Sequence, residues 1–378
     1  MPEETNKSEL ESIDTVDCIC IGTSPIFIME ASYQVSLGKT VLMIDNNDRI
    51  GGSWAPVDIF GLHDVENAIH YFLQHPVGFS FMKDVLGWNV ITSKKKYRVF
   101  DKPCMGIKSV SYDNLWGRMV SKYRYGESTA NPVSKFFSAI FDTLKTANRT
   151  SVYVRGGSVE IMNYIKALIE KFQIKTLLST QISAINIDHD KELVTVTVSD
   201  VNNESGPRTL KGKKLFISHG TELDKLDGIR GELVLKNQVH PRPAAHILVN
   251  DESTDNAHEL IFMENPLIRY VHDVSQFTRE AKSMAGKQKV LVFALQHEVS
   301  EYPELYQNIL ELCITGGILG KEATLVDSHW WDIYLPKLGD QDLIEVYEKY
   351  HPMVEWISTE NFTKGIGLRS SQWVSALK

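Results

Sequence analysis

The chain has 378 residues, of which 43% are hydrophobic and 23% are charged, and its formal net charge is −8 at pH 7. This length suggests two or three domains with ample apolar material for their cores. The negative charge argues against a general nucleic-acid-binding protein, and no apolar run reaches the roughly 18 residues that would predict a membrane span.

The N-terminal segment and the cysteines indicate the compartment. Residues 1–15 are acidic and polar, lack the apolar stretch of a secretory signal, and are expected to form a disordered lead-in. Four cysteines in a chain of this length suit a reducing compartment, so we expect a cytoplasmic protein. Cys18 and Cys20 lie on a predicted buried strand, which favours core packing over a metal or redox role.

The first ordered segment is predicted to fold as a strand, a glycine turn, a helix and a second strand. Val16–Ile21 is a short apolar run typical of a buried strand, and Gly22 ends it. Ile26–Leu37 is predicted to be a helix that a glycine stops. Thr40–Ile44 is predicted to be a second buried strand, with Asp45 directly after it.

The turn and the acid together point to a dinucleotide site. A helix that follows a glycine turn directs backbone N–H groups at a pyrophosphate, and an acid about 20 residues later can accept hydrogen bonds from an adenosine ribose. The G-x-G-x-x-G fingerprint reads Gly22-Thr23-Ser24-Pro25-Ile26-Phe27 here, so only its first glycine is present. Ser24 still permits fairly close approach of a phosphate, but Phe27 requires space where helix and strand normally pack closely. These six residues alone are equally compatible with a βαβ unit that binds no nucleotide.

A second glycine turn follows the acid and carries a family resemblance. The stretch Asp45-Asn46-Asn47-Asp48-Arg49-Ile50-Gly51-Gly52-Ser53-Trp54 resembles the acid-x-x-x-R-x-G-G signature of the amine-oxidase-like flavoproteins. That superfamily includes monoamine oxidases, protoporphyrinogen oxidase, UDP-galactopyranose mutase and the non-enzymatic Rab GDP-dissociation inhibitors. The resemblance implies that the acid binds the ribose and that the Arg and Gly-Gly turn lie along the pyrophosphate and ribityl chain of FAD. The residues thereby assigned to cofactor binding are Gly22, Thr23, Ser24, Asp45, Arg49, Gly51, Gly52, Ser53 and Trp54.

Two further segments resemble the same superfamily in the expected order. Tyr153-Val154-Arg155-Gly156-Gly157-Ser158, a predicted helix over Val159–Phe172 and the strand segment after it resemble the block P-x-G-G, helix, strand, V-x-x-I. That block implies a backbone contact to adenine from Gln181 or Ile182. Residues 356–371 resemble the closing strand, loop and helix that face the flavin, which assigns Glu360, Gly365, Ile366 and Gly367 to the cofactor.

The resemblance implies an α/β fold with two interleaved domains. One is a Rossmann-like FAD/NAD(P)-binding domain of the glutathione-reductase type, expected over residues 16–61, 151–229 and 340–378. The other is a mixed α+β substrate or cap domain, expected over residues 62–150 and 230–339. No second clean G-x-G-x-x-G is present, so a dedicated NADPH-binding domain is not expected.

No residue can be assigned to catalysis from the sequence, but four are candidates. His70 lies in a loose match to the G-P-H-x-F-H stretch of UDP-galactopyranose mutase, with ordinary packing as the alternative. Trp54 directly follows the second glycine turn. Arg242 lies in an extended, proline-rich segment that could aim it, together with His246, into a cleft, with surface or edge-strand structure as the alternative. Arg269 alternates with Tyr270 on a predicted strand, so one of them should face inward.

Other polar clusters have weaker functional signals. Lys94–Arg98 is basic, but it is more typical of a solvent-exposed hairpin tip than of a phosphate site. His63, His70 and His75 are not at the helical spacing of metal ligands, so no metal site is expected.

Three functions are compatible with these patterns. The first is an FAD-dependent oxidoreductase or flavin-dependent isomerase that acts on a small molecule, with the flavin supplying the chemistry. The second is a protein of the same fold that has lost flavin and works as a binding or escort module for a protein partner, which Ser24 and Phe27 favour. The third is a flavoprotein in which FAD is purely structural.

Overall fold

The structure is a computed structural model. It describes residues 15–68, 72–73, 83, 87–92, 96–104, 107–111, 114–125, 131–145, 151–201, 206–218, 221, 223, 225–229, 231–235, 238–241, 243–253, 257–275, 277, 287–331, 334–337, 340–357 and 373.

Helices and strands alternate along the described chain. The helices are α1 (Pro25–Ser36), α2 (Leu115–Tyr125), α3 (Pro132–Lys145), α4 (Gly157–Phe172), α5 (Leu305–Gly316) and α6 (Asp340–Tyr350). The strands are β1 (Val16–Ile21), β2 (Val41–Ile44), β3 (Val57–Ile59), β4 (Leu62–Val65), β5 (Phe72–Leu73), β6 (Val90–Thr92), β7 (Lys96–Cys104), β8 (Ile107–Ser111), β9 (Ser151–Val154), β10 (Lys175–Leu177), β11 (Thr180–Asp188), β12 (Leu193–Asp200), β13 (Arg208–Ser218), β14 (Lys225–Gly228), β15 (Leu233–Val234), β16 (Gln238–Pro241), β17 (Ala244–Asn250), β18 (Glu259–Met263), β19 (Ile268–Asp273), β20 (Gln288–Leu295), β21 (Thr324–Trp331), β22 (Tyr334–Lys337) and β23 (Val354–Ile357). Among the described residues no helix is long and apolar enough to cross a membrane.

The chain divides into two compact units, each assembled from separated segments. Unit 1 comprises Met1–Ala55, Ile161–His240 and Leu335–Lys378. Unit 2 comprises Pro56–Glu160 and Pro241–Tyr334.

Unit 1 is built on a nine-stranded sheet with a parallel core. The strand order is β10-β2-β1-β13-β12-β11-β14-β15, and β23 also pairs with β13. The strands β10, β2, β1, β13 and β23 pair in parallel, whereas β11, β12 and β13 form an antiparallel meander. The unit therefore has the Rossmann-like α/β architecture that the resemblance implied, with the carboxyl ends of its parallel strands at one edge.

The sequence explains why β1 and β2 are interior strands of this sheet. Both strands are almost continuous apolar runs, and Ile19 and Ile44 are fully buried. Strands that are buried on both faces have this composition, whereas strands with one solvent-exposed face alternate apolar and polar residues. Helix α1 is likewise buried over most of its surface, which matches the apolar run Pro25–Met29 at its start.

Unit 2 contains a seven-stranded sheet in the order β21-β17-β20-β19-β18-β7-β8. Helix α5 contributes Leu305, Ile309 and Cys313 to the main core of this sheet. Smaller sheets pair β3 with β4 and β5 with β9 and β6. A second core joins β3 and β4 to β17 and β20, and a third lies where α2 packs against β7 and β8.

Candidate dinucleotide site

The carboxyl end of β1 carries the first glycine turn. Gly22 has a φ of +108°, and its N–H donates to the Ile44 carbonyl at 2.7 Å. A Cβ at this position would lie 2.8 Å from the Ser218 Cβ, which is closer than side-chain carbons approach. Backbone conformation and the neighbouring strand β13 thus both require glycine here.

Asp45 lies at the carboxyl end of β2 and its carboxylate faces the same turn. The Thr23 N–H and the Thr23 hydroxyl donate to Oδ2 at 2.9 and 2.6 Å. The Asn47 N–H and its side-chain amide donate to Oδ1 at 3.0 and 2.8 Å. Asp45 is 6% exposed and Thr23 is 1% exposed, so the loops after the two strands are joined by buried hydrogen bonds.

The second glycine turn closes on the first through Thr23. The Gly51 N–H donates both to the Thr23 carbonyl and to its hydroxyl, each at 3.1 Å. Gly51 has a φ of +111°, and a Cβ there would lie 2.4 Å from the Met162 Sδ. Gly52 also has positive φ and opens the short 3-10 helix Gly52–Trp54. We call Gly22, Thr23, Asp45 and Gly51 the cradle.

The start of α1 departs from the usual fingerprint in a physically specific way. Ser24 is the N-cap residue with extended backbone and makes no side-chain capping bond, and Pro25 is the first helical residue. Phe27, at the third glycine position, is only 1% exposed. The space that the third glycine normally leaves for close packing is therefore filled by a buried phenyl ring.

The strand β11 begins beside Asp45. The Thr180 N–H donates to the Asp45 carbonyl at 2.9 Å, and the Ser179 N–H donates to the Asn47 carbonyl at 2.8 Å. Gln181 is exposed and Ile182 is half-buried. The two residues expected near adenine thus follow immediately after the backbone that holds Asp45.

A buried polar network on α1 was not found by sequence reasoning. The Trp373 indole N–H donates to the Glu30 carboxylate at 3.1 Å, and the Gln34 side-chain amide donates to its other oxygen at 2.7 Å. Glu30 is 2% exposed and Trp373 is 1% exposed. Trp373 is the described residue of the range 358–378, and this contact joins its side chain to α1.

Three other expected site residues are described, and their side chains differ in exposure. Arg49 and Ser53 are exposed, and Trp54 is half-buried. Six of the expected site residues lie outside the described part of the chain: His70, Arg242, Glu360, Gly365, Ile366 and Gly367.

Arg269 does not follow the expected strand alternation. Arg269 and Tyr270 are both half-buried, so neither is the single inward-facing residue that alternation predicts. The cause is a register shift between Ile268 and Tyr270 in the pairing of β19 with β20, which inserts Arg269 as an extra residue. The Arg269 Nη1 lies 3.4 Å from the His297 Nε2.

His246 is a structural residue rather than a cleft residue. It is fully buried, its Nε2–H donates to the Glu66 carbonyl at 2.9 Å, and its Nδ1 accepts from the Trp331 indole N–H at 2.8 Å. Burial lowers the pKa of His246 to about 4, which keeps the ring neutral at physiological pH. The expectation that it points into a cleft is therefore wrong.

The basic segment at β7 is not wholly a solvent-exposed hairpin tip. Lys96 is 5% exposed, and its ammonium lies 3.0 Å from the Glu259 carboxylate and donates to the Tyr153 hydroxyl at 2.9 Å. The Tyr153 hydroxyl in turn donates to Glu259 at 2.6 Å. Burial is the largest single effect and favours the neutral acid. The Lys96 charge, a smaller contribution from His272 and the hydrogen bonds from Tyr153 and Lys96 together outweigh it, so the pKa of Glu259 lies below its usual value.

The Gly156-Gly157 turn holds a carboxylate of the protein itself. Glu66 accepts from the Ser158 N–H and hydroxyl at 2.8 and 2.7 Å, at the first turn of α4. A Cβ on Gly157 would lie 2.4 Å from the same carboxylate. Glu66 thus occupies the anion position that a helix N-terminus favours.

Cys18 and Cys20 are buried free thiols, as expected for core residues. Burial raises the pKa of Cys18 to about 11 and that of Cys20 well above its usual value, so both stay protonated. Within the described ranges no group of three His, Cys, Asp or Glu residues could hold a metal ion.

Known structures share this fold. A putrescine oxidase with three substitutions aligns over 96% of this chain and 96% of its own, with a TM-score of 0.62 and 11% identity. A reduced UDP-galactopyranose mutase aligns over 89% of this chain and 86% of its own (TM-score 0.58, 15% identity). A Rab GDI from Plasmodium falciparum aligns over 95% and 96% (TM-score 0.52, 12% identity).

These likenesses confirm the fold that the sequence motifs implied. No protein-family model matches the sequence, and no curated protein matches it either. At such low identities the shared architecture is shown by the structures, while function has to be argued from the site.

Proposed function

We propose that this chain is a flavoprotein that binds the ADP half of FAD at the cradle and acts as an oxidoreductase or flavin-dependent isomerase on a small molecule. The observation that carries the proposal is the convergence of Gly22, Thr23, Asp45 and Gly51 at the carboxyl ends of β1 and β2. Ligands of open parallel sheets bind at this edge. The neighbouring folds, which include a putrescine oxidase and a UDP-galactopyranose mutase, support the same interpretation.

The residues present fit the ADP half in three respects. Gly22 and Gly51 have the positive φ that only glycine adopts readily, as in the two glycine turns that the resemblance assigns to the cofactor. Asp45 supplies the acid for the ribose. The start of α1 presents a helix N-terminus to the pyrophosphate. A bound flavin would supply redox chemistry that side chains lack, and this chain's residues would bind and orient it.

The cytoplasmic location belongs to the same proposal. Among the described residues Cys18, Cys20 and Cys313 are free thiols, which supports a reducing compartment.

A second candidate function is a flavin-free binding protein on the same fold. Two observations favour it: the Asp45 carboxylate is already engaged by four donors of the chain, and Phe27 fills the third glycine position. The Rab GDI neighbour shows the same fold in another setting.

The deciding experiment is the absorption spectrum of the purified full-length protein, followed by titration with FAD monitored by flavin fluorescence. Flavin bands, or saturable uptake of FAD close to one per chain, are expected. Asp45→Ala should weaken that binding by about tenfold, because it removes a charge-assisted hydrogen bond.

The control variant is Asp48→Ala, since Asp48 is an exposed acid of the same loop. It should bind FAD as the wild type does. A colourless protein that takes up no FAD would overturn the flavoprotein proposal and favour the binding protein. Equal FAD affinity in wild type and Asp45→Ala would show that the flavin binds elsewhere.

A further inference from the structure

The side chain of Thr23 lies between the acid and the second glycine turn of the cradle. Its hydroxyl donates to Asp45 Oδ2 at 2.6 Å and accepts from the Gly51 N–H at 3.1 Å. All three residues are buried, so both hydrogen bonds are shielded from water. One hydroxyl on the loop after β1 is therefore bonded to both the acid and the glycine turn that follow β2.

The Thr23 hydroxyl has a single proton, and that proton bonds to Asp45. A hydroxyl donates once and accepts through two lone pairs. Because the Gly51 N–H can only donate, the hydroxyl accepts from Gly51 and donates to the carboxylate. The distance of 2.6 Å is in the range for a hydroxyl that donates to a carboxylate. In this arrangement the Thr23 side chain has no proton left for a phosphate oxygen.

The backbone of Thr23 bonds to the same two groups as its hydroxyl. The Thr23 N–H donates to Asp45 Oδ2 at 2.9 Å, and the Thr23 carbonyl accepts from the Gly51 N–H at 3.1 Å. Without the hydroxyl, each of these groups would keep a hydrogen bond, so the large cost of an unsatisfied buried polar group would not arise. What the hydroxyl adds is direction. A second bond to Oδ2 fixes the rotation of the carboxylate and leaves Oδ1 on the side of the exposed Asn47.

We infer that Thr23 is a positioning residue, whose hydroxyl orients the Asp45 carboxylate for the ADP half of FAD and whose side chain does not itself contact the cofactor. This inference rests on the proposed function. The family resemblance assigns Thr23 to cofactor binding in general terms. The hydrogen bonds give its side chain an indirect role, through Asp45 and the turn at Gly51.

A second pair of the same residue types lies near the amino ends of β1 and β2. The Thr40 N–H and hydroxyl donate to Asp17 Oδ2, each at 2.9 Å, and the Thr40 hydroxyl accepts from the Asp17 N–H at 2.9 Å. Ligands of open parallel sheets bind at the carboxyl ends of the strands, which is the opposite edge. Thr40→Val therefore removes a hydroxyl with the same kinds of partner at a distance from the cradle, and it is the matched control.

The test is titration of the full chain with FAD, monitored by flavin fluorescence, in wild type and single variants. Thr23→Val keeps the shape of the side chain without its hydroxyl, and the FAD dissociation constant should rise by about tenfold, the scale of a lost hydrogen bond to a charged group. Thr23→Ser keeps the hydroxyl and should restore binding to near the wild-type value. Thr40→Val should bind FAD as the wild type does. Circular dichroism verifies that each variant is folded.

Combination with Asp45→Ala separates positioning from direct contact. If the hydroxyl acts through the carboxylate, Thr23→Val should weaken FAD binding less in the Asp45→Ala background than in the wild type. Equal weakening in the two backgrounds would mean that the hydroxyl does not act through Asp45, and would overturn the inference.

Three other results would also contradict the role of the hydroxyl. They are wild-type FAD affinity in Thr23→Val, equal weakening in Thr23→Val and Thr23→Ser, and an unfolded Thr23→Val, since the backbone bonds would then be insufficient for the fold. Failure of the proposed function is distinguishable from all of these, because the wild type itself would then take up no FAD, and the inference would fall with it.

Discussion

Asp45 both supports and restricts the dinucleotide interpretation. An ionised carboxylate has about four acceptor positions, and four donors of the chain already use them. Thr23 is buried and two of the donors are backbone N–H groups, so these cannot leave without rearranging the loops. Asn47 is exposed, and its amide is on a rotatable side chain. Under the proposed function, a ribose hydroxyl would therefore bind Asp45 by replacing the Asn47 amide.

This competition predicts that Asn47→Ala tightens FAD binding. Removing the amide frees one acceptor position on Oδ1, so the cofactor no longer displaces a hydrogen bond worth about 0.5–1.5 kcal/mol, and the FAD dissociation constant should fall by about threefold to tenfold. Fluorescence titration measures it. Asn46→Ala is the control, because Asn46 is an exposed neighbour of the same type. Weaker binding by Asn47→Ala would mean that this side chain holds the cofactor rather than competing with it.

At the scale of an element, the turn at Gly51 should be far less tolerant than other glycine turns. Gly51 and Gly38 both have positive φ, but only Gly51 would place its Cβ against a neighbour, at 2.4 Å from the Met162 Sδ. Gly38→Ala should lower the free energy of unfolding by about 1 kcal/mol, the conformational cost alone. Gly51→Ala should lower it by about 2–4 kcal/mol, because overpacking is added.

Urea unfolding of the two single variants and of Gly51→Ala/Met162→Ala separates these contributions. The double variant should unfold at higher urea than a sum of its two single changes predicts, since removing the methionine relieves the clash. Equal losses for Gly51→Ala and Gly38→Ala would show that the turn relaxes and that its close packing does not constrain the cradle.

The elements that sequence reasoning located are those whose pattern is local. Val16–Ile21 was predicted with the bounds that the structure has, because a continuous apolar run identifies a doubly covered strand without knowledge of its partners. Lys96 was missed as a buried residue, because its charge is stabilised by Glu259 on β18, which pairs in register with β7 only in the folded sheet. The bulge at Arg269 depends likewise on β20. A contact between two strands that are distant in the sequence cannot be predicted from the residues of one strand alone.

At the scale of the whole molecule, the fold tolerates changes that the site does not. The main core of unit 1 is formed mostly by apolar side chains of the sheet strands, and neither Ser24 nor Phe27 belongs to it. Ser24 and Phe27 could therefore change without loss of architecture. For this reason the motifs in their order along the chain predicted the fold, while the proposed cofactor site rests on a few hydrogen bonds around Asp45.

Buried histidine predicts how the stability of the molecule depends on pH. The pKa of His246 is about 4 in the fold, lowered by burial from 6.5. Between these two pH values the unfolded chain binds a proton at His246 and the folded chain does not. The free energy of unfolding is therefore highest above about pH 6.5 and decreases as the pH falls. His246 alone should reduce the free energy of unfolding by about 2 kcal/mol between about pH 7 and pH 5.

Urea unfolding at both pH values should show a smaller decrease for His246→Gln. The control His63→Gln should behave as wild type, since His63 is exposed. An identical decrease in His246→Gln and wild type would mean that His246 is protonated in the fold, contrary to its hydrogen bond from Trp331.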